Sequence, residues 1–150
     1  MIPVGSKSIW RGPRPETYEQ WAELKSAGVK TIINLERGWF DWFHGKTNFE
    51  SNSASRLEIT HIQIQLGDVF APSAQDLWTA LRYVKCASKL GGVYIHCLHG
   101  KDRTGMVCAM IRRHWHQWDS EQAIQEMMQN GFHRWPYEPL GWVKRLRRCL

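Results

Sequence analysis

Ten consecutive residues, His96-Cys97-Leu98-His99-Gly100-Lys101-Asp102-Arg103-Thr104-Gly105, combine a nucleophile, a bidentate cation and two turn-forming glycines. The apolar stretch Gly-Val-Tyr-Ile precedes them and the run Met106 to Ile111 follows, so they join a buried strand to a helix. A tight loop of successive backbone N–H groups is an anion nest. The helix behind it points its positive end and its unpaired donors into the same space. Leu98, His99, Gly100, Lys101, Asp102 and Arg103 are therefore the candidate phosphate-binding residues. Arg103, six residues after Cys97, can fold back and grip two phosphate oxygens with its planar fork. Gly100 permits the turn and Gly105 permits close packing behind it. A cysteine at the mouth of such a nest is expected as a thiolate. It would attack phosphorus, displace an alcohol and leave a phosphocysteine for water to hydrolyse. Arg103 and the backbone donors would stabilise the charge on the equatorial oxygens. Thr104 can hydrogen-bond the sulfur as it departs.

These residues need a scaffold, and the patterning supplies one. SIWRG (8–12) reads as a short strand broken by Pro13 and Pro15. Tyr18, Trp21 and Leu24 give helical spacing over 16–27, closed by Gly28. VKTIINL (29–35) is a buried strand, 38–55 an irregular excursion with at most one helical turn, and 58–66 an imperfectly alternating strand. Ser73 caps a helix over 74–90 that ends at Gly91 and Gly92; GVYIH is the next strand and a helix runs from Thr104 to Trp118. Asp119, with Gln122 three residues on, caps a further helix closed by Gly131, and a last helix is expected from about Glu138 to Arg148. Strands alternating with helices predict an α/β single domain, a central, largely parallel twisted sheet flanked by helices on both faces. Sites in such sheets form at the carboxyl ends of strands, where the loop after GVYIH lies.

The chain has 150 residues, 43% hydrophobic and 23% charged, which excludes general disorder. No apolar run is long enough to span a bilayer, and the N-terminus lacks a secretory h-region, so a cytoplasmic protein is expected. The net charge of +6 favours an anionic partner. Cys86, Cys97, Cys108 and Cys149 form no CxxC pair and are expected as reduced thiols, with Cys86 and Cys108 inert on buried helix faces.

HCLHGKDRTG matches the HCxxGxxR[ST]G signature of the cysteine-based protein tyrosine phosphatase superfamily. IWRGPRPETYEQWAELKSAGVKTIINL resembles the opening of small dual-specificity-like phosphatases, and the resemblance covers nearly the whole chain except 38–55. It implies a dual-specificity phosphatase-like catalytic domain over 1–150 with Cys97 and Arg103 catalytic and no cofactor. It implies that His96 orders the loop and helps set the thiolate. It also implies a general acid on the loop before the preceding helix, where Asp68 lies in QLGDVFAP. Asp102 is the rival acid, since some lipid-phosphatase relatives are thought to use an aspartate inside the loop. Lys101, with His99 beside it, resembles the extra cations of lipid- and inositol-phosphate-directed relatives. The expected substrate is an inositol polyphosphate or phosphoinositide, with a phosphoprotein as the alternative.

Other readings rest on fewer residues. His96, Cys97 and His99 lack a second ligand pair, so no metal is expected. A basic, aromatic-rich chain can bind nucleic acid, but no basic–aromatic repeat supports that and none is expected. A phosphate-recognising pseudophosphatase is disfavoured by intact Cys97, Arg103 and Thr104. Trp21, Trp78, Trp115 and Trp142 are expected in or near the core. Trp39, Phe40, Trp42 and Phe43 wall the site or tether the 38–55 loop, and Arg37, His44 and Lys46 are candidate substrate contacts there. A monomer is expected.

Overall fold

Residues 92–97 are small, β-branched or aromatic, and all are buried, as a strand covered on both sides requires. This strand, β5 (Gly92–Cys97), is the middle of a five-stranded sheet in the computed structural model, which describes residues 1–5, 8–36, 46–67 and 69–150. The other strands are β1 (Ile2–Pro3), β2 (Ile9–Pro13), β3 (Val29–Asn34) and β4 (Thr60–Gln63), in the order β1-β2-β5-β3-β4. β1 is antiparallel to β2; every other pairing is parallel. The expected α/β architecture is present. β1 was not foreseen, because two exposed residues carry no alternation.

Helices cover both faces. They are α1 (Tyr18–Ser26), α2 (Lys46–Arg56), α3 (Ala74–Ser88), α4 (Asp102–Trp115), α5 (Ser120–Gln129), α6 (Arg134–Tyr137) and α7 (Trp142–Cys149). Alternation along the central strands divides the core. Ile33, Leu35, Val93, Ile95 and Cys97 join the cluster under α3, α4, α5 and α7. Val29, Ile32 and Tyr94 join Trp21, Leu24 and Ala54 under α1 and α2.

Local signals set the helix starts. The Thr17 and Asp119 side chains form capping boxes with Gln20 and Gln122, and Ser73 accepts from the Asp76 N–H. Several boundaries differ from the sequence reading. An eleven-residue helix, α2, begins inside the 38–55 excursion and runs to Arg56. Its Ser- and Asn-rich sequence favours helix poorly, and tertiary contacts hold it. Ser53 and Ala54 are buried, Glu50 bonds Asn34 across to β3, and the Arg56 guanidinium lies 4.6 Å over the Tyr18 ring. β4 pairs only over Thr60–Gln63, shorter than 58–66. The last long helix begins at Trp142 behind Gly141, at φ 83°, rather than at Glu138, which ends the short α6. Cys86 is exposed on α3, not buried, and Trp78 is 41% exposed, its ring tilted against His114. Both occupy the solvent side of a helix whose Leu77, Leu81 and Val84 fill the core.

Candidate active site

β5 delivers His96 and Cys97 to the carboxyl edge of the sheet, and the two-residue period turns them to opposite faces. Cys97, 3% exposed, ends the strand opposite Pro13 of β2 and packs with Val93 and Ile95 on the α4 side. The loop from Leu98 to Lys101 then turns into α4.

Gly100 is required twice. Its φ is +67°, and a Cβ there would lie 2.2 Å from the Gly12 backbone. At Gly105 a Cβ would meet Met127 Cγ at 2.8 Å, so this glycine lets α5 approach α4. The buried Arg11 donates from Nη2 to the carbonyls of Gly100 (2.7 Å) and Lys101 (3.3 Å), and the Arg14 N–H donates to the Leu98 carbonyl (3.2 Å). With these carbonyls held, the N–H groups of 98–102 donate to no acceptor among the described residues. α4 also starts without a side-chain cap, unlike α1, α3 and α5. Its first-turn donors and the loop amides lie next to each other at the end of β5, and the Arg11 guanidinium holds the loop from its carbonyl side. Arg103 is half-buried in the first turn of α4. Thr104 is fully buried, and its Oγ1 has no hydrogen-bond partner among the described residues.

The opposite side of β5 is acidic. His96 is fully buried, with Nδ1 3.9 Å from Glu36 and Nε2 3.9 Å from Glu50. Glu36 meets Arg14 at 3.2 Å, and its backbone N–H donates to Asn34 Oδ1. Glu50 accepts from Asn34 Nδ2 at 2.9 Å and lies 3.0 Å from His61 Nε2. Burial works to raise the Glu50 pKa, but the His61 contact, the nearby His96 and the Asn34 hydrogen bond more than offset it and hold it below the ordinary value. Burial pushes the His96 pKa down to about 4; the Glu50 charge opposes this, and His61 and Arg14 add to it. His96 is thus a neutral ring at pH 7. Glu36, Glu50 and His96 offer ligand atoms within 4.8 Å of one another. Arg14 and Asn34 hydrogen-bond the two carboxylates, while neither ring nitrogen of His96 has a hydrogen-bond partner among the described residues.

Asp102 is 8% exposed, and both its oxygens face His133: Oδ1 accepts from the backbone N–H (2.7 Å) and Oδ2 from Nδ1 (2.9 Å). His99 and Lys101 are exposed on the loop. Asp68, Arg37, His44, the Lys46 side chain and the four aromatics at 39–43 lie outside the described residues. Cys108 is buried in α4, and burial raises its thiol pKa to about 11.

Sequence reasoning passed over Arg11, Glu36, Glu50, His61 and His133. Arg11 had a signal, since an arginine within an otherwise apolar strand must find buried acceptors. Glu50 sits one position past Phe49, whose spacing with Ser53 and Leu57 marks a helix face. His133 carried none.

The family described as "Polymorphic toxin system, DSP-PTPase phosphatase" matches residues 4–116. The dual specificity protein phosphatase TpbA of Pseudomonas aeruginosa is 39% identical over 131 residues, 85% of this chain and 53% of that protein. The chain therefore spans about half the length of the curated relatives it matches. The crystal structure of P. aeruginosa TpbA has the same fold, with TM-score 0.74, 21% identity, and 97% and 88% of the two chains covered. So does the core catalytic domain of the PP-IP phosphatase SIW14 from S. cerevisiae, with TM-score 0.75, 19% identity, and 95% and 82% covered. With three quarters of its length matched by the family and the signature loop intact, this chain belongs to the DSP-PTPase phosphatases, which are cysteine-dependent.

Proposed function

We propose that this chain hydrolyses phosphomonoesters through a phosphocysteine on Cys97. The observation that carries this reading is the loop after β5, where N–H donors without acceptors surround a buried cysteine at an uncapped helix start. The Cys97 thiolate forms the S–P bond as the P–O bond to the leaving group breaks. Asp68 gives its proton to the departing oxygen. Arg103 and the loop amides hold the equatorial oxygens. In the second step Asp68 takes a proton from water, whose oxygen attacks phosphorus and releases the thiolate. Thr104 Oγ1, buried with no other described partner, is the donor that stabilises the departing sulfur. Asp102 does not serve as the acid, because both its oxygens are occupied as acceptors by His133.

The substrate class is an inositol polyphosphate or phosphoinositide. Lys101 places a cation and His99 an imidazole beside the nest, the chain carries a net charge of +6, and a structural relative is a PP-IP phosphatase. A phosphoprotein substrate is the second reading. It is favoured by the 39% identity to a dual specificity protein phosphatase, whose structure in complex with pTyr shares the fold. Measuring kcat/KM for myo-inositol hexakisphosphate and for a phosphotyrosine peptide at physiological salt separates the two. The inositol reading expects the polyphosphate to be preferred and Lys101→Ala to erode that preference. A peptide preference untouched by Lys101→Ala overturns it.

A further inference from the structure

A carboxylate inside a phosphate-binding loop needs a reason, since it repels the anion the loop is built to hold. Asp102 is turned away from the nest and clamps His133, 31 residues further along the chain. A carboxylate only accepts hydrogen bonds, so Nδ1 of His133 carries the proton and Nε2 is the atom left for a ligand. The His133 side chain is 45% exposed, and its ring stands edge-on to His99 with centroids 6.2 Å apart. Lys101 reaches the same turn: a Cβ on Gly131 would lie 3.2 Å from Lys101 Cε. The signature loop and the turn after α5 thus form one rim carrying His99, Lys101 and His133. Among the described residues, the titratable groups around His133 are Asp102 on its Nδ1 side, His99 edge-on to its ring, Lys101 against the neighbouring Gly131, and the exposed Arg134 next to it in the chain.

We propose that His133, held at the rim by Asp102, is a specificity-determining residue that binds a second phosphate of the substrate through Nε2 while the first occupies the nest. This rests on the polyphosphate reading above. The second phosphate hydrogen-bonds to Nε2 while Nδ1 stays on Asp102. Asp102 is then a positioning residue, and its own charge is directed away from the phosphates.

The test compares kcat and KM for myo-inositol hexakisphosphate and para-nitrophenyl phosphate in the wild type, His133→Ala and His133→Asn. In His133→Asn the amide N–H can replace Nδ1 on Asp102, but nothing replaces Nε2. Both variants are expected to raise KM for the hexakisphosphate about tenfold, the size of one charge-assisted hydrogen bond. The loss in kcat/KM should greatly exceed that for para-nitrophenyl phosphate. Equal losses on both substrates would show a structural role only and overturn the proposal, as would a wild-type KM for the hexakisphosphate in His133→Asn. A wild type that prefers the phosphotyrosine peptide defeats the polyphosphate reading alone. The same variants are then assayed on a doubly against a singly phosphorylated peptide. A KM rise confined to the former supports His133, and its absence overturns it.

Discussion

His96 and Cys97 are neighbours in the chain, yet β5 sends them into opposite surroundings. On the Cys97 side, backbone donors stand without acceptors beneath an uncapped helix and above the Arg11 cation. On the His96 side, two buried carboxylates accept hydrogen bonds from Arg14 and Asn34, His61 lies beside Glu50, and the imidazole between them is neutral. One side leaves its backbone donors without acceptors among the described residues. The other buries its carboxylates and its imidazole away from solvent. The His96 ring lies on the other face of β5 from Cys97, fully buried between Glu36 and Glu50.

The largest expected effect tests the open side. Cys97→Ser should lower turnover of para-nitrophenyl phosphate by at least about 10⁴-fold, while binding of a phosphate analogue, measured by calorimetry, survives. Substantial activity in a clean preparation would remove the nucleophile from this side altogether.

Asp68→Asn should lower kcat by about 10²–10⁴ on an alkyl phosphate, with a smaller loss on para-nitrophenyl phosphate, whose leaving group needs little protonation. Asp102→Asn should lose far less than Asp68→Asn on the alkyl ester. The reverse order would move the acid into the signature loop.

Gly100→Ala probes the geometry that keeps the donors pointing inward. The new methyl meets the Gly12 backbone at 2.2 Å and the residue keeps a φ of +67°. Strain on the order of 1–3 kcal/mol is expected, seen as a lower urea midpoint together with weakened phosphate-analogue binding. Unchanged binding would show that the nest does not depend on this approach.

The closed side is tested by pH. The folded His96 pKa of about 4 lies below the ordinary value of 6.5, so between these limits the unfolded chain binds a proton that the folded chain refuses. Stability conferred by this group is therefore complete above pH 6.5 and falls as pH drops towards 4, by a total on the order of 3 kcal/mol. Glu50, whose pKa is lowered, contributes in the same direction only below its ordinary value of 4.5. Urea unfolding between pH 7 and pH 4, with an NMR titration of the His96 ring, checks this. A ring that protonates near pH 6.5 would dissolve the contrast between the two sides.

The legible parts of the molecule were those written in contiguous residues. Apolar runs announced β3 and β5, Ser73 and Asp119 sit where helices start, and the residues from Cys97 to Arg103 marked the loop between β5 and α4. α2 was missed because its sequence is polar and a poor helix former, so its structure comes from Glu50, Ser53 and Ala54 reaching β3 and the core.

The sequence by itself determined the chemistry: a nucleophile, a planar cation and backbone donors fall within one strand–loop–helix unit, and local geometry suffices to bring them together. The tertiary structure alone decided what stands around that unit. Arg11 on the loop carbonyls, Glu50 beside His96 and His133 on Asp102 are pairings across 89, 46 and 31 residues. No periodicity encodes such pairings, because they arise only when separate strands and helices pack and their buried polar groups must find partners.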